Sequence, residues 1–505
     1  MIPVTCAAPN PQRWDQRRNI RSYQRTMSER DNLNRQSDTA AMLSSKLGVL
    51  CASDDISEEN LRQIIRVQGC ALNNHQLSDY QFFFAACRNE TVTEGKMKRI
   101  MKLLLDYFPA AANDVDDKGR LPIHHACGNH NVTLGIIELL IDAAPDSVRH
   151  EASNGCLPLH YACGNTGLHG TSAISILRIL LDAYPGSERI ANRLGMLPFH
   201  YACIDSTVDI VEYLYNVYPD SINYRSQRGN YPILNTISGM VDREANPEAA
   251  VDIVKFLLDC DTRVQFQRTG RVQLPMLVLA CSLEFTDTNI SAALEMIGVV
   301  FDAHPEAIEH ESLVSFRIVR HPQVRAFINT QRAYLRLAKN SLLTTTPGEN
   351  GQLPLHRALQ SNARLGSIKL LVRGKNLLSL QSRTGLQSSD NSGALPLHVA
   401  CMHHKSTRVV HYLIERDPST LEAVDHENNT ALHYACNGAK YETIALLLGK
   451  YDALSVSKRN AQKKLPIEVL WESIEDVDRE SVEYTECMFL LLRAYPEITM
   501  NADLL

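Results

Sequence analysis

Apolar residues fall in two alternating kinds of run along most of this chain. One kind is helical and stops at a proline: Leu103–Pro109, Leu139–Pro145, Leu180–Pro185 and Tyr213–Pro219. Ile136, Ile137, Leu139 and Leu140 show its 3.6-residue stripe. A proline disfavours helix in the residue before it, so each run is predicted to end there. The other kind is short: Leu121-Pro-Ile-His-His-Ala-Cys127. It returns at Leu157, Leu197, Leu395 and Thr430, and in weaker form at Tyr231, Leu353 and Leu465. Its proline suits the first position of a helix, where the missing N–H would have no partner anyway.

The starts at 121, 157, 197 and 231 lie 36, 40 and 34 residues apart, and those at 353, 395, 430 and 465 lie 42, 35 and 35 apart. From each run-ending proline to the next short run is 12 residues: 109 to 121, 145 to 157, 185 to 197, 219 to 231 and 418 to 430. One connection is therefore fixed and the other absorbs the length changes, as surface loops do. The unit reads as helix A, a variable turn, helix B and a fixed connector. So short a pair cannot bury its apolar faces alone and needs a neighbour on each side.

Gly-x-Leu-Pro-Leu-His-x-Ala-Cys resembles the ankyrin-repeat signature Gly-x-Thr-Pro-Leu-His-x-Ala-Ala. The resemblance implies an all-α, ankyrin-type α-solenoid of about eleven helix-turn-helix repeats, joined by short finger-like β-turns. In that family the glycine before each short run supplies a positive φ in the finger; here it is Gly119, Gly155, Gly195, Gly229, Gly351 and Gly393. His124, His160, His200, His356, His398 and His433 take the family's framework position. The family's Thr is mostly Leu here, which removes a hydroxyl cap worth roughly 1 kcal/mol. Each histidine must then find a partner other than the threonine it bonds in the family.

The expected organisation follows in chain order. Residues 1–46 form a disordered, Arg-rich tail. Residues 47–80 form an N-terminal capping half-repeat whose helix opens at Asp55-Ile-Ser-Glu58, the spacing of a capping box. Residues 81–304 form a first ankyrin block, 305–350 a degenerate repeat or seam, and 351–505 a second block with its C-terminal cap. Leu274-Pro-Met-Leu-Val-Leu-Ala-Cys281 carries one residue too many, and Ala280-Cys281 puts its phase at Pro275. Ser382–Gly393 reads as an exposed finger extension.

Charge and cysteine content narrow the function classes. The chain has 505 residues, a formal charge of −6 and 13 cysteines. Cys87, Cys127, Cys163, Cys203, Cys281, Cys401 and Cys436 share one slot on helix A and read as small buried apolar residues. That usage predicts a reduced, intracellular setting, cytoplasmic or nuclear. No run of 18 apolar residues is present, so no membrane insertion is expected, and the N-terminal stretch lacks the apolar core of a secretory signal.

Five His-x-x-Cys pairs tempt a zinc reading, but repeats place them in parallel rows rather than in a closed tetrahedron. Tyr161, Tyr201 and Tyr434 share the slot after the histidine, where packing between repeats is a better account than base stacking. Phosphate-loop, nucleophile-elbow and zincin motifs are missing from the sequence, and what lies outside the repeats is too short for a catalytic domain. No enzyme activity, metal or cofactor is expected.

The expected function is a non-catalytic scaffold or adaptor, a monomeric array holding a protein partner on its concave face. By resemblance, partner choice sits at the finger tips and beside the finger glycine: Asp116, Asp117, Arg120, Asn154, Asn192, Arg193, Met196, Arg225, Gln227, Arg228 and Asn230. One alternative is a nucleic-acid binder using the Arg-rich tail with Arg189, Arg193, Arg225 and Arg228, against which the charge of −6 counts. Another is a substrate-recruiting subunit of a larger complex such as a ubiquitin ligase.

Overall fold

The structure is a computed structural model. It describes residues 35–69, 80–242, 246–270, 273–315, 317–340, 347–361, 363–373, 384–403, 406–438, 440–450, 456–472 and 482–496. The chain divides into two compact units, Met1–Tyr201 and Ala202–Leu505. The expected A/turn/B/connector unit builds both.

In the first unit the A helices are Gln81–Arg88, Pro122–Cys127 and Pro158–Cys163, with B helices Glu94–Tyr107, Leu134–Ala143 and Gly170–Ala183. Helices of six residues are far below the length that stands alone in water. They persist because all six side chains of Pro122–Cys127 are buried between neighbours. The run-ending proline does not open a bare loop. It starts a short 3-10 turn, Pro109–Asn113 or Pro145–Arg149, that leads into the finger.

The unit begins earlier than expected. Arg35–Cys51 is a helix, and Leu43, Leu47 and Cys51 in it are fully buried against the neighbouring A helix Gln81–Arg88. With Glu58–Gly69 it makes a whole first pair, so the boundary placed at residue 46 falls inside a helix and the half-repeat is a full one. Residues 1–34 of the proposed tail lie outside the described residues. Only Leu47 and Cys51 of the short run survive in Ser45–Cys51, without its proline and histidine, which is why the pattern did not reveal it. The cap of the next helix also differs: Ser57, not Asp55, accepts the N–H of Asn60, at 3.2 Å.

The second unit carries the pairs Pro232–Gly239 with Pro247–Cys260, and Met276–Ser282 with Ile290–Ala303. Pro275 is the N-cap of Met276–Ser282, so the phase set by Ala280-Cys281 holds and the surplus residue lies in the finger. Later pairs are Pro354–Gln360 with Leu365–Arg373, Pro396–Met402 with Thr407–Arg416, Ala431–Asn437 with Tyr441–Leu448, and Pro466–Glu472 with Val482–Ala494.

Between Ala303 and Pro354 no ordinary pair forms among the described residues. A four-residue turn of helix, Glu311–Val314, precedes a single 18-residue helix, Pro322–Lys339. Val324, Ile328, Gln331, Leu335 and Ala338 are its buried stripe, and it packs on Leu365–Arg373. The B helix Ile290–Ala303 also meets Leu365–Arg373 directly. Asp302 Oδ1 accepts the Gly366 N–H at 2.8 Å, and Lys369 Nζ donates to the Asp302 carbonyl at 2.6 Å. The Asp302 carboxylate pairs with Arg364 at 3.1 Å. Burial pushes the Asp302 carboxyl up, against the opposing pull of Arg364.

The finger extension is more ordered than an exposed loop. Thr384–Gln387 forms a helical turn with Leu386 buried, and Gln387 donates to Asp417 at 2.9 Å. Ser382 and Arg383, at its start, lie outside the described residues.

Candidate partner-binding surface

The framework histidines His124, His160, His356, His398 and His433 each tie three pieces of backbone together. The short run enters its helix through an extended residue, Leu121 at φ −80° and ψ 163°. The N–H of that residue donates to His124 Nδ1 at 3.1 Å, the half of a capping box usually made by Glu or Gln. The same bond forms from Leu157 to His160, Leu197 to His200, Leu353 to His356, Leu395 to His398 and Thr430 to His433. The far nitrogen, Nε2, donates to the next connector: from His160 to the Met196 carbonyl at 3.1 Å, from His398 to Ala423 at 3.1 Å, from His433 to Lys464 at 3.2 Å. Those bonds set the proton on Nε2.

Leu in the cap position thus costs the histidine nothing but a hydroxyl contact. That contact survives at Thr430, whose Oγ1 lies 2.8 Å from His433 Nδ1. At Leu465 the slot holds Glu468, whose carboxylate accepts the Leu465 N–H at 2.7 Å, so the weak copy keeps the bond with another acceptor. Burial pushes His124 and His160 down to about 4, which keeps both imidazoles neutral.

The fingers are turns closed on themselves. Asp116 N–H donates to the Arg120 carbonyl and Gly119 N–H to the Asp116 carbonyl. The Asp116 carboxylate accepts the N–H groups of Lys118 and Arg120, both at 2.9 Å, and Asn192 repeats this with Leu194 and Met196. Successive fingers join edge to edge, Ser153 N–H to Lys118 O and Arg193 N–H to Asn154 O in the first unit, His426 N–H to Ser392 O in the second. Gly155 sits at φ 77°, and a Cβ there would lie 2.8 Å from the Arg193 nitrogen, so both conformation and space require glycine.

Three of the proposed contact residues are therefore framework instead. Asp116, Arg120 and Asn192 are buried. Asp116 pairs with Arg120 at 2.6 Å and accepts from His125 Nε2 at 2.9 Å. Burial alone would push the Asp116 carboxyl up, but the His125 and Arg120 hydrogen bonds outweigh it and hold it well below the usual range. Asp117, Asn154, Arg193, Arg225, Gln227 and Arg228 are exposed, while Met196 and Asn230 are half-buried. Asn230 Oδ1 accepts the Gly270 N–H at 3.3 Å, so part of its polarity is spent on the neighbouring finger.

In three repeats the residue after the histidine anchors the finger base. Tyr434 donates its hydroxyl to Asp425, and Asn192 donates to the Tyr201 hydroxyl at 2.8 Å. His125 fills that role toward Asp116. In each case the two residues are nine apart, a spacing visible in the sequence once the finger is known. The half-buried tyrosines are bonded inward rather than offered as stacking platforms. A second network also escaped the pattern. Asn89, Asn129 and Asn165 each send a side-chain amide to the end of the preceding A helix, to the carbonyls of Cys51, Cys87 and Cys127, at 2.9 Å.

The slot cysteines are inert by burial. The thiol of Cys401 is pushed up to about 12, as is that of Cys51, which leaves no thiolate to attack or ligate. Among the described residues no group of three or more His, Cys, Asp and Glu converges as a metal site, and no helix is long and apolar enough to cross a membrane.

No curated protein matches the sequence. A model of ankyrin repeats matches it in three copies, within residues 83–188 and 355–460. With the stacked A/B pairs, the histidine-capped A helices and the closed fingers, the match shows that the chain carries ankyrin repeats.

Proposed function

We infer that this chain is a non-catalytic binding protein that holds a protein partner along its finger tips and the neighbouring ends of its A helices. Ankyrin repeats generally mediate protein–protein interaction. One observation carries the reading here. The backbone bonds of the fingers recur from repeat to repeat, while the exposed tip residues do not: Asp117, Asn154, Arg193 and Gln227 occupy comparable turns with different chemistry. A rigid frame that repeats and a surface that varies suit selection of one partner by shape and charge. The setting we propose is intracellular, since the many cysteines act as reduced, buried apolar groups.

The test is capture of a defined partner by the full chain, followed by substitution of tip residues. Asp117→Arg and Arg193→Glu should weaken binding at least tenfold with unchanged thermal unfolding. Binding unaffected by any tip substitution, or lost only on unfolding, would remove the fingers from the interface. Steep salt dependence toward generic DNA or RNA would support the nucleic-acid alternative instead.

A further inference from the structure

We propose that two adjacent fingers of the second unit, residues 224–231 and residues 267–270 with 273–274, recognise an acidic peptide segment, a proposal that rests on the protein-binding reading above. The first observation is one of composition. Residues 221–241 and 262–283 contain no Asp or Glu, although the chain as a whole holds 57 acidic against 51 basic residues. Fingers later in the same unit are different: Asp390 opens one, and Asp425 and Glu427 stand in another.

The second observation is placement. Arg225 directly precedes Ser226, which opens its finger with Ser226 N–H donating to the Asn230 carbonyl. Arg268 directly precedes Thr269, which opens the next finger with Thr269 N–H donating to the Leu274 carbonyl. The two arginines thus hold the same register position in neighbouring repeats, and both are exposed. Stacked repeats advance by about 10 Å, the packing distance of helices. Three residues of a peptide in the polyproline II conformation make one turn and span about 9 Å, so carboxylates three apart lie on one face and match the pair.

The third observation is orientation. Arg225 Nε donates to the Gly229 carbonyl at 3.0 Å and Nη2 to the Gly270 carbonyl at 3.3 Å, with the guanidinium carbon 5.9 Å from the centre of the Tyr231 ring. Arg268 Nη1 donates to the Gln273 carbonyl at 3.3 Å. Backbone carbonyls hold these side chains in place without cancelling their charge, and donors remain for a carboxylate. The nearby Arg263 is different. Asp261 engages it at 2.8 Å, so it belongs to an internal pair. A row of arginines on a rigid edge is the chemistry that reads acidic segments.

Fluorescence anisotropy of the full chain with a labelled peptide carrying Glu at every third position, with Pro between, tests this. The wild type should bind, and Arg225→Gln with Arg268→Gln should weaken binding at least tenfold. Arg178→Gln, exposed on the B helix Gly170–Ala183 of the first unit, should leave it unchanged. Arg225→Lys with Arg268→Lys separates charge from folding. It loses the paired carbonyl bonds but keeps the positive strip, and should retain most of the affinity. No peptide binding by the wild type, equal binding by the Gln pair, or tighter binding of a single-stranded oligonucleotide than of the peptide would overturn the proposal. Undiminished capture of a folded partner by the Gln pair would overturn the acidic assignment and leave the broader binding role standing.

Discussion

The repeat that begins at Leu157 buries five of the six side chains of its A helix and bonds its histidine at both nitrogens. The stretch from Pro305 to Lys339 has neither feature. It keeps the 3-10 turn at Pro305–Glu309, reduces the A helix to Glu311–Val314, and spends its length on one amphipathic helix. The signature therefore encodes the A helix and its finger, and its loss removes those two parts. It does not encode stacking as such. Apolar stripes do that, and at the missing A helix the Asp302 cluster adds polar contacts between the pairs on either side.

The largest expected effect comes from acid. Burial holds His124 and His160 down to about 4, below their unfolded value near 6.5. The folded form binds fewer protons, so this stability is whole above about pH 6.5 and is lost as pH falls through 4. Each such histidine should remove about 1.4 kcal/mol per pH unit across that window. Hydrogen exchange should show the repeats at 121–200 loosening first on acidification, ahead of Pro322–Lys339, whose buried stripe carries no histidine. Simultaneous loosening would dissolve the contrast.

Ile328→Ala should cost about 3 kcal/mol in urea unfolding, since Ile328 is fully buried at the centre of that helix. A cost under about 1 kcal/mol would mean that the helix adds little to the stack. His160→Ala should cost about 2 kcal/mol, leaving the Leu157 N–H and the Met196 carbonyl without their partner. Asp302→Ala is the mildest, about 1 kcal/mol, because the side chain keeps 22% of its exposure and water replaces part of what is lost. Its exchange signature should be confined to residues 301–309 and 364–373. A global change would show the cluster to be central rather than local.

The A/B period was legible because prolines and the Leu-Pro-x-His run mark both helix boundaries. The fixed twelve-residue connector was legible because the finger tolerates few lengths. What escaped has a common cause. The first A helix, Arg35–Cys51, is held by an apolar stripe and ends in the cysteine slot, with no proline to start it. Pro322–Lys339 replaces two helices by one, so its period fits no repeat. Among the proposed contacts, Asp116, Arg120 and Asn192 looked like surface residues because they are polar and lie in a turn. Their side chains satisfy the turn's own N–H groups, a role that residue type alone does not distinguish from an exposed one.

The asparagine amides at 89, 129 and 165 have a consequence for how such a chain can lengthen. Each reaches back to the same carbonyl position in the repeat before it, and each repeat ends by offering that carbonyl to the next. Plug and socket are thus identical at both ends of the segment 121–156. A tandem copy of those 36 residues would meet a joint it already fits on either side, so duplication within the gene can extend this part of the molecule without inventing a new contact.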